Sequence, residues 1–184
     1  MEILDITDEK GNPTGETIER SIAHLKGIRH RTAHIWIIRK NKDKYEFLLQ
    51  KRSYDKDSFP GCYDTSSAGH IHAGDEPLES VLRELEEELG IKAQKEDLLF
   101  IGTYHIINHT SFKDKPFNDD EIPFVYVYLK DTDADSLVLQ KEEIDSVKWF
   151  EMKDIERNLN PRNPEFCIPL DGFELVKQWV MNNL

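Results

Sequence analysis

The segment "GDEPLESVLRELEEELG", residues 74–90, constrains the fold more than any other part of the chain. It predicts an amphipathic helix, with Asp75 or Glu76 at the N-cap and Pro77 in the first turn. Gly90 follows the last turn, where glycine commonly ends a helix. Apolar side chains recur at helical spacing and predict one buried face: Leu78, Val81, Leu82, Leu85 and Leu89.

Three glutamates lie along the edge of this face. With about 100° per residue, Glu84 and Glu88 are about 40° apart, and Glu87 is about 60° from Glu84 on its other side. Like charges at i, i+4 cost roughly 0.2–0.5 kcal/mol per pair, and hard cations such as Mg²⁺ take oxygen ligands. The spacing therefore indicates a metal site. The alternative is an exposed, glutamate-rich helix, which is what we expect of Glu86.

The longer frame "GHIHAGDEPLESVLRELEEELGI", residues 69–91, resembles the Nudix box. That box is a Gly, five residues, a Glu, seven residues, and then Arg-Glu-apolar-x-Glu-Glu-x-Gly-apolar. Eight positions match it: Gly69, Arg83, Glu84, Leu85, Glu87, Glu88, Gly90 and Ile91. The one departure is Asp75, which stands where the box has Glu and is one methylene shorter.

The resemblance implies a fold and a chemistry. Nudix domains are α/β/α sandwiches with a central mixed sheet, in which a loop–helix–loop presents metal ligands to a diphosphate. By residue match, Mg²⁺ or Mn²⁺ ions would be held by Glu84, Glu87, Glu88 and the carbonyl of Ala68. Arg83 would pair with Asp75 and steady the start of the helix. The expected reaction is metal-dependent cleavage of a phosphoanhydride bond in a diphosphate linked to another group.

Three further segments look like isopentenyl-diphosphate isomerase and its Nudix hydrolase relatives: "AHLKGIRHRTAHIWII", "LLQKRSYDKDSFPGCYDTSSAGH" and "DDEIPF". The isomerase builds a metal site from histidines and downstream acidic residues. Its counterparts here would be His24, His30, His70 and Glu121, with His34 as an additional candidate. The alternative for each histidine is a structural role.

Two departures favour a hydrolase over an isomerase. The isomerase has a catalytic cysteine immediately before the Gly-His of its box, where this chain has Ala68, and alanine cannot transfer a proton. The isomerase also lacks the complete set of box carboxylates, which this chain keeps. Cys62 lies six residues away and is expected to be a loop residue. A third hypothesis is a non-catalytic Nudix domain that binds a nucleotide or a partner.

Substrate-binding and general-base candidates lie outside the box. Arg52 and Lys56 match the basic residues with which the isomerase binds the substrate diphosphate. The alternative is that Arg52 is an arginine at a strand end and Lys56 a solvated loop lysine. Glu121 is the first choice for the general base, followed by Asp119 and Asp120. Glu84 and Glu87 are the alternatives for that role.

The remaining segments predict an α/β fold. Strands are expected at residues 2–7, 31–39, 45–52, 98–106, 123–129 and 146–152, with a polar loop over residues 108–122. A short helix from Lys153 and an amphipathic helix over residues 172–184 close the chain. Apolar residues on both faces of the second strand predict a central position covered on both sides: Ala33, Ile35, Ile37, Trp36 and Ile38.

Composition limits the partners. The length of 184 residues fits one domain over residues 1–184, and the net charge of −12 argues against nucleic-acid polymers and anionic membranes. The absence of a long apolar run or a secretory leader predicts a cytoplasmic protein. A small diphosphate is the expected partner, and homodimer formation is left open.

Overall fold

The computed structural model describes all residues from Met1 to Leu184. Four α-helices are present: α1 Arg20–Lys26, α2 Pro77–Leu89, α3 Met152–Leu159 and α4 Leu170–Asn183. The ten strands are β1 Ile3–Thr7, β2 Pro13–Glu19, β3 His30–Asn41, β4 Lys44–Arg52, β5 Tyr63–Asp64, β6 Ser67–His70, β7 Leu98–Thr103, β8 Ile106–Phe112, β9 Lys115–Tyr128 and β10 Ile144–Glu151.

An eight-stranded mixed sheet forms the centre of the fold. Its main order is β10-β4-β3-β9-β7, with β5 paired to β4, β6 to β3 and β8 to β9. Strand β3 runs antiparallel to β4 and β6 but parallel to β9. The predicted α/β fold with a mixed sheet is therefore confirmed. Strands β1 and β2 form a separate hairpin.

Hydrophobic side chains cover both faces of the sheet. On one face, Trp36 and Ile38 of β3 lie in a buried cluster with residues of α3 and α4. On the other face, Ala33, Ile35 and Ile37 lie in a cluster with the apolar side chains of α2. The prediction that β3 is a central strand covered on both sides is confirmed, because alternate side chains of a strand point to opposite faces.

The loop predicted over residues 108–122 is wrong, because these residues form most of the β8–β9 hairpin. Lys113 and Asp114 make its turn with φ values of 50° and 62°, the left-handed conformation that two-residue hairpin turns require. Most side chains of β8 are exposed, so this segment lacks the apolar alternation that identifies a half-buried strand. Helix α1 was not predicted either, because its seven residues are too few for a helical period to appear.

Candidate active site

The glutamate-bearing helix forms where the sequence predicted it. Glu76 is the N-cap and Pro77 the first helical residue, while Gly90 ends α2 with a φ of 69°. Val81, Leu85 and Leu89 are fully buried against the sheet. The buried stripe therefore fixes the rotation of α2 and places the glutamates at its edge.

Glu84 lies against the backbone of β6, and Gly69 makes that approach possible. A Cβ atom at position 69 would lie 2.2 Å from the carboxyl carbon of Glu84, far inside the distance at which two carbon atoms attract. Only 8% of Glu84 is exposed. The carboxylate is thus held between α2 and β6, and residue 69 must be glycine for it to stay there.

Glu88 is a second buried carboxyl group one turn along the helix. Ser67 donates a hydrogen bond to Glu88 Oε2 at 2.5 Å. Burial, with repulsion from Glu84, raises the pKa of Glu88 to about 8. Burial also raises the pKa of Glu84 to about 7, although Arg83 opposes the shift. Two buried carboxylates with too little positive charge nearby form a site that favours a cation.

Three histidines and one glutamate form a second centre at the end of β6. His24 comes from α1, His30 from the start of β3, His70 from the end of β6 and Glu121 from β9. The register pairs His30 with Glu121 across β3 and β9. Each residue offers one ligand atom, and these four atoms lie within 4.8 Å of one another.

The histidine ligand atoms point at one another and at Glu121. His24 Nε2 and His70 Nε2 are 3.1 Å apart, and Glu121 Oε1 lies 3.5 Å from His30 Nε2 and 3.9 Å from His70 Nε2. Burial lowers the pKa of His70 to about 4. Against the effect of burial, the neighbouring His30 holds the pKa of Glu121 well below its usual range. A neutral imidazole and an ionised carboxylate are the forms that bind metal.

His34, the additional histidine candidate, lies outside this cluster. Its Nδ1 atom is 3.1 Å from the hydroxyl of Tyr104, and burial lowers the pKa of the ring.

The two carboxylates before Glu121, those of Asp119 and Asp120, have other partners. Asp119 Oδ1 lies 2.8 Å from His24 Nδ1, whereas Asp120 pairs with Arg29 at 2.7 Å.

Both centres open onto one cavity of 1060 Å³, which Arg52, Lys56 and Ala68 also line. Arg52 is half-buried and pairs with Asp64 at 3.2 Å, and it donates to the carbonyl of Ser58. Lys56 pairs with Glu143, which lines the same cavity. The two predicted basic residues therefore reach the cavity, each with an acidic partner.

The sequence pattern of the NUDIX domain family matches residues 28–167. The chain belongs to the Nudix family. It is 37% identical over 187 residues to Nudix hydrolase 3 of Arabidopsis thaliana, an alignment covering 96% of this chain and 23% of that protein. It therefore spans about a quarter of the length of this relative. A Nudix hydrolase of Clostridium acetobutylicum, described as uncharacterized, is 36% identical over 159 residues, covering 86% of this chain and 74% of that protein.

Other similar proteins include an isomerase and a solved structure. Isopentenyl-diphosphate Delta-isomerase 1 of Photorhabdus laumondii is 29% identical over 170 residues, covering 92% of this chain and 90% of that protein. The crystal structure of DR0079 from Deinococcus radiodurans superposes with a TM-score of 0.67 at 19% identity, covering 96% of this chain and 98% of that chain. The similarity to DR0079 shows a shared fold. None of the helices of this chain is both long and apolar enough to cross a membrane.

One expected pairing within the Nudix box is wrong. Arg83 contacts Glu84 at 2.8 Å and Glu87 at 3.3 Å, and it donates to the carbonyl of His70 at 3.1 Å. Asp75 lies before the helix, is half-exposed, and is nearest to His72. The reason is reach, since residues of the same and the next helical turn are closer to Arg83 than a residue before the N-cap. Arg83 instead ties the box helix to β6.

Two residues at the site were not among those that the sequence predicted. Ser67 holds Glu88 from the start of β6, and Glu2 lies 3.2 Å from His70 Nδ1. Glu2 is 68 positions from that histidine in the chain, so only the packing of β1 beside the β6 end brings them together.

Proposed function

We propose that this chain is a divalent-metal-dependent hydrolase that cleaves the phosphoanhydride bond of a diphosphate linked to a second group. The observation that carries the proposal is the pair of buried carboxyl groups, Glu84 and Glu88, whose pKa values burial raises to about 7 and about 8. A protein does not gain stability by burying two adjacent carboxylates without cations. A metal-binding role accounts for their position.

The donors around these carboxylates fit Mg²⁺ or Mn²⁺. Both ions take carboxylate and carbonyl oxygens, and we assign the site to Glu84, Glu87, Glu88 and the carbonyl of Ala68. When bound, such an ion polarises phosphoryl oxygens and lowers the pKa of a coordinated water. Glu87 is 55% exposed, so it can reach an ion at the cavity surface while the other two stay fixed.

The remaining residues of the cavity bind and orient the substrate. Arg52 and Lys56 are placed to pair with the diphosphate, and guanidinium groups suit the paired oxygens of phosphate. Their present partners, Asp64 and Glu143, keep both cations neutralised until an anion competes for them. Arg83 holds Glu84 and Glu87 in place from the same helix, so we assign it a positioning role in catalysis.

We assign the histidine cluster as a second metal site. Three imidazole nitrogens and one carboxylate suit a transition ion such as Mn²⁺ or Zn²⁺ better than Mg²⁺. This assignment gives Glu121 a ligand role in addition to its predicted role as general base. If Glu121 is occupied by a metal, Glu87 is the best-placed exposed carboxylate to accept a proton.

An isomerase acting on isopentenyl diphosphate is the second candidate function. The histidine cluster and the 29% identity to a named isomerase favour it. Ala68 opposes it, because a methyl group cannot move a proton. The hydrolase hypothesis therefore takes precedence.

The test is release of phosphate or pyrophosphate from a panel of nucleoside diphosphate derivatives and prenyl diphosphates, with Mg²⁺ and then Mn²⁺. We expect turnover of one class, lost in Glu88→Gln and retained in Glu86→Gln, which changes an exposed glutamate of the same helix. Conversion of isopentenyl to dimethylallyl diphosphate without phosphate release would replace the hydrolase with the isomerase. Binding without turnover across the whole panel would refute both and support a non-catalytic binding domain.

A further inference from the structure

We propose that Glu2 is a positioning residue that orients His70 for metal binding. The inference rests on the proposed function, specifically on the assignment of the histidine cluster as a metal site. It adds to that site a residue from the segment before β1, which the box and its neighbouring motifs do not include.

The three histidines share one arrangement of their ring nitrogens. His30 Nδ1 lies 2.8 Å from the carbonyl of Ile28, and a carbonyl can only accept, so this nitrogen carries the hydrogen. His24 Nδ1 lies 2.8 Å from a carboxylate oxygen of Asp119. His70 Nδ1 lies 3.2 Å from Glu2 Oε1. Each Nδ1 thus has an oxygen acceptor within 3.2 Å.

When a neutral ring carries its hydrogen on Nδ1, its Nε2 atom keeps a lone pair that can bind a cation. When both Nδ1 atoms carry hydrogen, the Nε2 atoms of His24 and His70 cannot hydrogen bond to each other across their 3.1 Å separation. Two facing lone pairs repel unless a cation lies between them. Fixing the tautomer through Nδ1 is how metal-binding histidines are commonly prepared.

Glu2 is itself held from two sides. Its carbonyl accepts a hydrogen bond from the backbone N–H of Arg20 at 3.0 Å, and Ile3, the next residue, accepts one from the N–H of Ala73 at 2.8 Å. Arg20 begins α1, which carries His24, and Ala73 lies three residues after His70. The Glu2 carboxylate also lies 3.5 Å from Arg20 Nε. The Glu2–Ile3 segment is therefore bonded both to the start of α1 and to the segment that follows β6.

A competing contact must be separated from this role. His72 Nε2 lies 3.8 Å from Glu2 Oε1, but this ring is more exposed than that of His70 and is not part of the cluster. His72→Gln therefore serves as a control that removes the contact of Glu2 with His72 and leaves its contact with His70.

The experiment is a Co²⁺ titration of the protein in excess Mg²⁺, which fills oxygen-only sites, followed by visible absorption and by competition with a chelator. We expect Glu2→Ala to weaken Co²⁺ binding by about 10–100-fold, the usual effect of losing the partner of a metal-binding histidine. Glu2→Gln keeps an acceptor of the same reach, so we expect it to recover part of the affinity. Glu16→Gln, an exposed carboxylate of β2, and His72→Gln should match the unmodified protein.

His30→Ala distinguishes the two ways in which the inference can fail. If His30→Ala binds Co²⁺ as tightly as the unmodified protein, the ion is not at the histidines and the proposed second metal site is wrong. If His30→Ala loses binding but Glu2→Ala retains it with an unchanged cobalt spectrum, the metal site stands and the role of Glu2 is overturned. Weak binding by Glu2→Ala together with partial recovery in Glu2→Gln supports the inference.

Discussion

Replacing Glu88 with glutamine should stabilise the metal-free protein while abolishing its turnover. Burial raises the pKa of Glu88 from 4.5 to about 8. The folded state therefore binds more protons than the unfolded state between these pH values, and the free energy of unfolding falls as pH rises through this range. Glutamine keeps the shape of the side chain and the acceptor for Ser67 but cannot ionise. The variant therefore avoids this fall in the free energy of unfolding.

The size of the effect follows from the pKa shift. Each pKa unit corresponds to about 1.4 kcal/mol, and pH 7.5 lies three units above the ordinary carboxyl value. Glu88→Gln should therefore raise the free energy of unfolding by about 4 kcal/mol at pH 7.5 and by less than about 1 kcal/mol at pH 5. Relief of the repulsion on Glu84 acts in the same direction.

Urea unfolding in the presence of EDTA, at pH 5 and pH 7.5, measures this difference directly. Glu86→Gln on the exposed side of the helix is the matched control and should show no pH-dependent change. With saturating Mg²⁺ we expect the order to reverse, because only the unmodified protein gains stability from the bound ion. A Glu88→Gln variant that is equally stable or less stable at pH 7.5 without metal would show that this carboxyl group is not held at an energetic cost.

Three further predictions concern the same cavity. Gly69→Ala should displace the Glu84 carboxylate and lower kcat on the order of 10²-fold at saturating Mg²⁺. An unchanged kcat in steady-state kinetics would contradict the close approach of Glu84 to the backbone of Gly69. Arg52→Met should destabilise the fold by about 3–5 kcal/mol, because it leaves Asp64 without its cationic partner. Urea unfolding should show that the double variant with Asp64→Asn recovers most of this free energy. If the double variant recovers none of it, the loss of the ion pair is not the cause. EDTA should lower the Tm at pH 7.5 more than at pH 5, because the buried carboxylates ionise at the higher pH; equal shifts in a thermal scan would refute this.

Local pattern determined the parts of the protein in which a few neighbouring residues suffice. The helix from Pro77 to Leu89, its cap at Gly90 and the placement of Glu84 and Glu88 at the edge of a buried stripe follow from a helical period that any fold must respect. The double-faced burial of β3 follows in the same way from alternation along a strand. The box spacing and Ala68 also identified the family and favoured hydrolysis, since both are properties of the chain order alone.

Tertiary structure decided what depends on residues far apart in the chain. Residues 108–122 of the β8–β9 hairpin have too few buried apolar side chains to be recognised as strands, so only the pairing of the two strands reveals them. The bond from Arg83 to the carbonyl of His70 depended on how close β6 lies to the helix. The resemblance named the histidines, but the register of β3 with β6 and β9 decided that His30, His70 and Glu121 meet and that His34 does not. Glu2 joins them because β1 pairs with the segment just after β6, a contact that no local period encodes.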